Sequence, residues 1–349
     1  MSFVRTLYRG ETNIDFRPLW KRSVAISGAL VVVSLLLLLV RGLNLSIDFE
    51  GGGVWEVPVA ETVTVADGRA AAGIDNARVQ LVEDPGRGTF VRVQSGTADI
   101  DRSPEIVAGL AELGNVSIDE VSVSTVGPTW GSQITSKALR ALVFFFLAVA
   151  AYLAWRLEWR MAIGALVAVV HDLAITGGVY SLFWFEVSPA TIIALLTILG
   201  YSLYDTVVVY DKVLENQDSP IGDGVTHTEL VNRSMNQVLM RSINTTITTV
   251  LPVLSMLVIG GVFLGGATLR DFALALFIGL ILGTYSSIFL AAPVLAWLKE
   301  REPVDDATRR RQRRAAEAFG SEPEPVEPVE PVAVGGVTPR PRKGRKKRR

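Results

Sequence analysis

Three places in this chain set ionisable side chains inside otherwise apolar runs: His171 with Asp172, Asp205 within GYSLYDTVVVYDK, and Arg241 at the head of RSINTTITTVLP. A charged group at the centre of a membrane span costs about 2.5 to 3.5 kcal/mol on insertion scales, so each needs a function or a partner. A carboxyl group there can take up and release a proton, with burial favouring its neutral form and a neighbouring guanidinium its ionised form. Asp205 and Arg241 are the residue types for that exchange. At helical spacing Arg241, Thr245, Thr248 and Pro252 share one stripe flanked by Asn244 and Thr249, which gives an apolar helix one polar face. Asp205 lies near the inner end of its run and Arg241 near the inner end of the next, so the two fall at similar depth. The alternative is a static ion pair that fixes helix packing. His171 reads either as a core histidine bonded to a carbonyl or as a relay group. Asp172 is expected to face some other partner, because adjacent residues on a helix do not face each other.

Composition narrows the chemistry further. The 349 residues include no cysteine and only two histidines, His171 and His227. Disulfides, thiolate metal sites, a cysteine nucleophile and a three-histidine zinc site are therefore excluded. A hydrolase built on His171 and Asp172 lacks a nucleophile arrangement and a metal set. The expected cofactor is none. The coupling ion would be H+, with Na+ as the alternative because Asp, Ser and Thr oxygens serve either.

These residues need spans to hold them. Residues 23–40 are uncharged and lie between Arg22 and Arg41, about the length that crosses a hydrocarbon core as a helix. Five more spans are expected: Ala138 to Trp155, with Lys137 and Arg140 snorkelling at its start, Met161 to Phe185, Val187 to Tyr210, Ser242 to Leu269, and Phe272 to Leu298. Basic residues gather before the first span and after the second, which places both termini on the cytoplasmic side under the positive-inside rule. Arg270 and Asp271 would neutralise each other in an outward-facing turn between the last two spans. Gly164 with Ala168, and Gly279 with Gly283, form small-residue faces on which helices pack closely. Gly260, Gly261, Gly265 and Gly266 read as a flexible turn.

The division that follows is a cytoplasmic segment at 1–22, the first span at 23–40, an extracytoplasmic domain at 41–133, spans two to six at 134–298, and a basic, proline-rich tail at 299–349. In the outer domain alternating apolar positions mark strands at Gly53 to Val59, Arg78 to Val82, Thr89 to Gln94 and Asp119 to Thr125. Helical patterns fall at Val63 to Ala72 and Ser103 to Leu113, with Ser103 as cap. The β-α-β-β-α-β order is that of a ferredoxin-like α+β domain. Its joints to the membrane base are expected at Asp48, Phe49, Gly51 and Gly52, and at Gly127, Pro128 and Gly131, where glycines permit backbone change. Residues 226–240 read as a cytoplasmic amphipathic helix, with a Thr226/Glu229 capping box, that turns into the membrane at Arg241. The tail composition cannot bury a core and reads as disordered. Its basic runs suit contact with lipid headgroups or ribosomal RNA, but a solvated topology signal is the favoured reading.

Five segments together resemble the SecD/SecF family of protein translocase subunits, on its SecF side, within the resistance-nodulation-division superfamily. They are IDFEGG from Ile47, VGPTWG from Val126, VHDLAITGGVY from Val170, YSLYDTVVVYDK from Tyr201 and RSINTT from Arg241, in family order and at matching membrane positions. The resemblance covers nearly all of residues 10–300. It implies an α-helical membrane protein that forms half of a twelve-helix pseudo-symmetric bundle. It also implies a homologous partner, SecD, and assistance to the SecY channel, with proton flow acting on the translocating polypeptide outside. Asp205 matches the family's intramembrane acid and Arg241 the arginine of its RSINTT motif. The family pattern has Asn, Phe and Arg where this chain has Tyr204, Tyr210 and Lys212. Two other readings remain: a half-transporter exporting lipid or a small molecule, and an accessory subunit that moves no protons.

Overall fold

An apolar run in a hydrocarbon layer must satisfy its own backbone N–H and C=O groups, and a helix does this within one segment. The computed structural model describes residues 12, 14–84, 88–219, 225–263 and 267–300. It contains six helices long and apolar enough to cross a membrane. Helix α1 (Arg17–Val40) is followed by the two-residue strand β1 (Asn44–Leu45), the short helix α2 (Ile47–Glu50) and the outer domain. That domain comprises β2 (Gly52–Pro58), α3 (Val65–Ala72), β3 (Arg78–Asp84), β4 (Gly88–Ser95), α4 (Ser103–Gly114) and β5 (Ser122–Val126). Next come α5 (Pro128–Arg156), α6 (Trp159–Phe183), the strand β6 (Glu186–Val187) and α7 (Pro189–Gln217). Helix α8 (His227–Ser255) continues as a π-helical stretch, Met256–Phe263. Helix α9 (Ala267–Ser286) passes through a π-helical turn, Ser287–Ala291, into α10 (Ala292–Glu300).

The four outer strands form one antiparallel sheet in the order β3-β4-β2-β5, the ferredoxin-like arrangement. Trp55, Val57, Val79, Val91 and Val93 point from the sheet into one core with Ile106, Leu110 and Ala72 of the two helices. Burying each of these large side chains contributes about 1.5 to 3 kcal/mol. Ser103 does not cap α4. It is the first residue of that helix, after a 3-10 turn at Thr97–Arg102, and its Oγ accepts the Trp55 indole N–H at 2.8 Å. The fully buried indole needs that acceptor. The last strand also starts later than the alternation suggests, because Ile118–Glu120 is a 3-10 turn closed by Ser117 and Glu120.

No turn occurs at Arg241. Helix α8 runs unbroken from His227, and its first half buries Leu230, Val231, Met235 and Val238 in the membrane-base core. Thr226 caps it by accepting from the Glu229 N–H. Asn232 and Asn236 on the same stretch hold the chain before α1: Asn236 bonds both the N–H and the C=O of Ile14 at 2.8 Å, and Asn232 accepts the Phe16 N–H at 2.9 Å. Apolar and amide groups thus fix this half against neighbouring chain. Arg270 and Asp271 lie in the first turns of α9 rather than in a connecting turn, 3.7 Å apart. The third span ends at Phe183, with Trp184 left-handed at φ 59°. Part of the glycine segment near 260–266, the whole of 1–11 and the tail beyond 300 fall outside the described residues.

Candidate intramembrane site

Close approach of α9 to α7 builds the floor of the site. A Cβ on Gly283 would lie 3.0 Å from the Ser202 Cβ, and one on Gly279 would press into Ile198. Between α7, α8 and α9 this leaves a cavity of about 30 Å³ whose lining includes Ser202, Tyr204, Asp205, Thr245, Thr246 and Gly283. That is room for a water molecule. Asp205 enters from α7. Its Oδ1 accepts the Ser242 hydroxyl at 2.7 Å, and its Oδ2 is buried without a hydrogen-bond partner.

Arg241 does not pair with Asp205. Its Nη2 donates to the Tyr204 hydroxyl at 2.7 Å, and its guanidinium carbon lies 5.8 Å from the centre of that ring. Successive residues on a helix point about 100° apart, so α7 and α8 meet through two separate rungs, 204 with 241 and 205 with 242. The threonine stripe is largely turned on its own helix: Thr245, Thr248 and Thr249 donate to the carbonyls of Arg241, Asn244 and Thr245 at 2.7 to 2.8 Å. Thr246 reaches Thr284 across the cavity wall at 2.9 Å. Asn244 is half-buried and is not among the lining residues.

His171 and Asp172 form a second, separate centre on α6. They do bond each other, Nδ1 to Oδ1 at 3.0 Å, contrary to the expectation from their adjacency. Two donors from other helices make that possible by fixing the carboxylate: Ser202 at 2.6 Å and Ser286 at 2.8 Å both reach Asp172 Oδ2. Asp172 is 1 % exposed. His171 stacks near Tyr285, with ring centres 6.2 Å apart. Ser202, Ser242 and Ser286 were not singled out from sequence as site residues, and Tyr204 was noted only as a departure from the family pattern beside Asp205. Among the described residues no three His, Asp or Glu side chains gather as a metal site.

The expected joints form one packed knot. Gly51 and Gly52 have φ of 76° and 129°, a backbone that side chains strain. A Cβ on Gly131 would sit 2.8 Å from the Phe49 carbonyl oxygen, and one on Gly51 would sit 3.2 Å from the Pro128 Cα. Gly127 caps α5 through its carbonyl, which accepts from Trp130 and Gly131. Asp48 accepts from Ser46 at 3.2 Å. Phe49 is buried with Tyr180, Val187, Ala194 and Ile198 of the membrane base. Strand β1 pairs with β6 in parallel, a contact with no signal in a two-residue sequence. Beside it Arg92 of the outer sheet bonds Glu186 at 3.1 Å, and Arg78 bonds Asn44.

A sequence model of the family "Protein export membrane protein SecD/SecF, C-terminal" matches residues 106–301. The protein translocase subunit SecF of Streptomyces coelicolor is 43 % identical over 309 residues, covering 87 % of this chain and 82 % of that protein. Its counterpart in Mycobacterium tuberculosis strain H37Rv is 42 % identical, covering 92 % and 76 %. The crystal structure of SecDF, a translocon-associated membrane protein from Thermus thermophilus, superposes with a TM-score of 0.71 at 34 % identity. The match covers 84 % of this chain and 39 % of that one, so this chain spans about two fifths of the fused protein.

Proposed function

The chain belongs to the SecD/SecF family of protein export membrane proteins, and from that premise we propose that it is an auxiliary subunit of the Sec protein translocase. In this reading it works with a SecD companion and uses the proton gradient to promote export of polypeptides through the SecY channel. The fused SecDF relative, of which this chain matches one part, supports the companion subunit. The observation that carries the proton reading is the half-satisfied Asp205: one oxygen is anchored by Ser242, and the other is buried and unpartnered in a residue that lines the cavity. A carboxyl group so placed has a free lone pair for a proton and a seat for a water to deliver it. Protons enter from the outside and leave toward the cytoplasm. Each one crossing about 100 mV releases roughly 2.3 kcal/mol, enough to shift a two-state equilibrium about fiftyfold. The joint of Phe49, Gly51, Gly52 and Gly131 carries that shift to the outer domain.

Asp205→Asn tests the reading in vesicles holding the full complex. Export should fall to the level seen after the gradient is collapsed, at unchanged abundance and with the companion still co-purifying. Full gradient-dependent export in that variant would leave only a non-conducting accessory role. For orientation, the chain lies with both termini cytoplasmic and 41–133 outside. An impermeant thiol reagent added to cells should label Glu61→Cys and leave Glu215→Cys untouched, and the native absence of cysteine keeps the background clear.

A further inference from the structure

Two rungs cross from α7 to α8 at neighbouring positions. On one, Ser242 holds Asp205 Oδ1; on the other, the Tyr204 hydroxyl holds Arg241 at 2.7 Å. Asp205 Oδ2 stays unpartnered although a guanidinium sits one residue away. Left to itself, a guanidinium next to an ionised carboxylate forms the strongest pair available, often through two parallel N–H···O bonds. Something must hold it aside, and among the described residues the Arg241 guanidinium has its hydrogen-bond partner in Tyr204. Tyr204 is 53 % exposed and Arg241 is exposed as well, so the described residues of this chain leave the guanidinium room to swing.

We propose that Tyr204 is the positioning residue for Arg241: its hydroxyl holds the guanidinium one rung away while Asp205 is neutral and releases it to Oδ2 when Asp205 is ionised. This rests on the reading of Asp205 as proton carrier. A neutral carboxyl group offers the guanidinium little more than a phenol oxygen does, whereas an ionised one adds opposite charge and can accept two parallel N–H···O bonds. The arginine therefore follows the proton. When Asp205 is neutral, the tyrosine competes well enough to keep Oδ2 clear. When Asp205 loses its proton, the carboxylate wins, and the guanidinium moves across one helical step. Without the phenol oxygen nothing offers Arg241 a second seat. It would settle on Asp205 and turn the site into the static ion pair that the sequence left open.

The test separates the acceptor oxygen from the ring. Tyr204→Phe keeps the ring and removes the acceptor; Tyr204→Asn removes the ring and keeps an acceptor oxygen. Both are measured in vesicles holding this chain with its companion and the channel, at matched abundance, with a proton gradient imposed or collapsed, and beside Asp205→Asn. The gradient-dependent part of export should fall roughly tenfold in Tyr204→Phe, the scale of a hydrogen bond to a charged group, while Tyr204→Asn stays near the unaltered protein. A packing role gives the reverse order. Full activity in Tyr204→Phe, loss in Tyr204→Asn alone, or equal loss in both overturns the proposal. Should Tyr204→Phe fail to accumulate, Tyr204→Leu replaces it in the same comparison. If Asp205→Asn itself keeps full gradient-dependent export, the proton reading fails instead, and the two failures are told apart.

Discussion

Asp172 and Asp205 are both carboxylates among apolar helices, one on α6 and one on α7, and the structure treats them differently. Asp172 receives three donors, from His171, Ser202 and Ser286, and is closed from all sides. Asp205 receives one, from Ser242, and keeps its second oxygen free beside a cavity. A buried carboxylate with bonds on both oxygens from three side chains is fixed in its network, so we read it as a clasp. A half-satisfied one keeps an oxygen to which a proton can be added without breaking a bond. Ser202 joins the two, since it donates to Asp172 and its side of α7 also lines the cavity. Under the proposed function the clasp fixes the wall beside the proton-carrying group.

The sharpest way to break this contrast is to remove one charge at a time while keeping shape. Asp205→Asn should abolish gradient-dependent export with little effect on stability. Asp172→Asn should do the opposite, lowering the amount of folded complex while the surviving molecules still respond to the gradient. Equal loss of coupling per folded molecule in both variants would merge the two centres into a single relay.

The next effect tests whether the Asp205 side is linked to the outside. Arg92 and Glu186 bond the outer sheet to the membrane base. Arg92→Cys with Glu186→Cys, joined by a short bis-maleimide, should lock that contact and stop gradient-dependent export without dissociating the complex. Transport that survives linking would show that the outer domain need not move.

On the Asp172 side the expected cost is energetic. Asp172→Ala leaves three buried donors with no acceptor, and breaking such a network costs about 3 to 5 kcal/mol. Thermal unfolding of the detergent-purified complex would show it as a lowered midpoint. Ser286→Ala removes one of the three donors and should cost only about 1 kcal/mol. A midpoint unchanged in Asp172→Ala would mean that the network holds nothing together.

These centres were legible in the sequence to different degrees, for a physical reason. Asp205, Asp172 and Arg241 stood out because hydropathy exposes any charge in an apolar run, and six spans and the β-α-β-β-α-β order followed from periodicity. Direction around a helix did not. Depth along the axis placed Arg241 level with Asp205, but which rung each side chain joins depends on the rotation of two packed helices, which no single sequence encodes. The same limit hid Ser202 and Ser286, whose hydroxyls look like ordinary small packing residues until the facing carboxylate is known. Helix α8 looked broken at Arg241 because its pattern changes from amphipathic to apolar there. The backbone carries both patterns without a turn, since the first half packs on Asn-held chain and core side chains.

A third carboxylate extends the comparison to the surface and gives the smallest effect. Asp67 in the outer domain accepts from both the N–H and the hydroxyl of Thr64, at 2.9 and 2.7 Å, closing a capping box at the start of α3. The Thr64 hydroxyl bond, followed by the Thr64 N–H, holds the Asp67 carboxyl below the usual aspartate range. A group whose folded pKa lies below its unfolded one adds stability above the unfolded value and loses it as pH falls through the folded one. The first turn of α3 should therefore stay protected from amide exchange at neutral pH and loosen only in acid below the ordinary aspartate range. Asp67→Asn should remove the pH dependence, leaving the same turn slightly less protected throughout. Because water already solvates this carboxylate, the change should remain local and leave export untouched. Two donors serve Asp67 and three serve Asp172, so if burial rather than donor number sets the cost, the surface box should melt alone while the buried clasp takes the whole bundle with it. Acid loosening that spread from α3 into the membrane helices would undo that distinction.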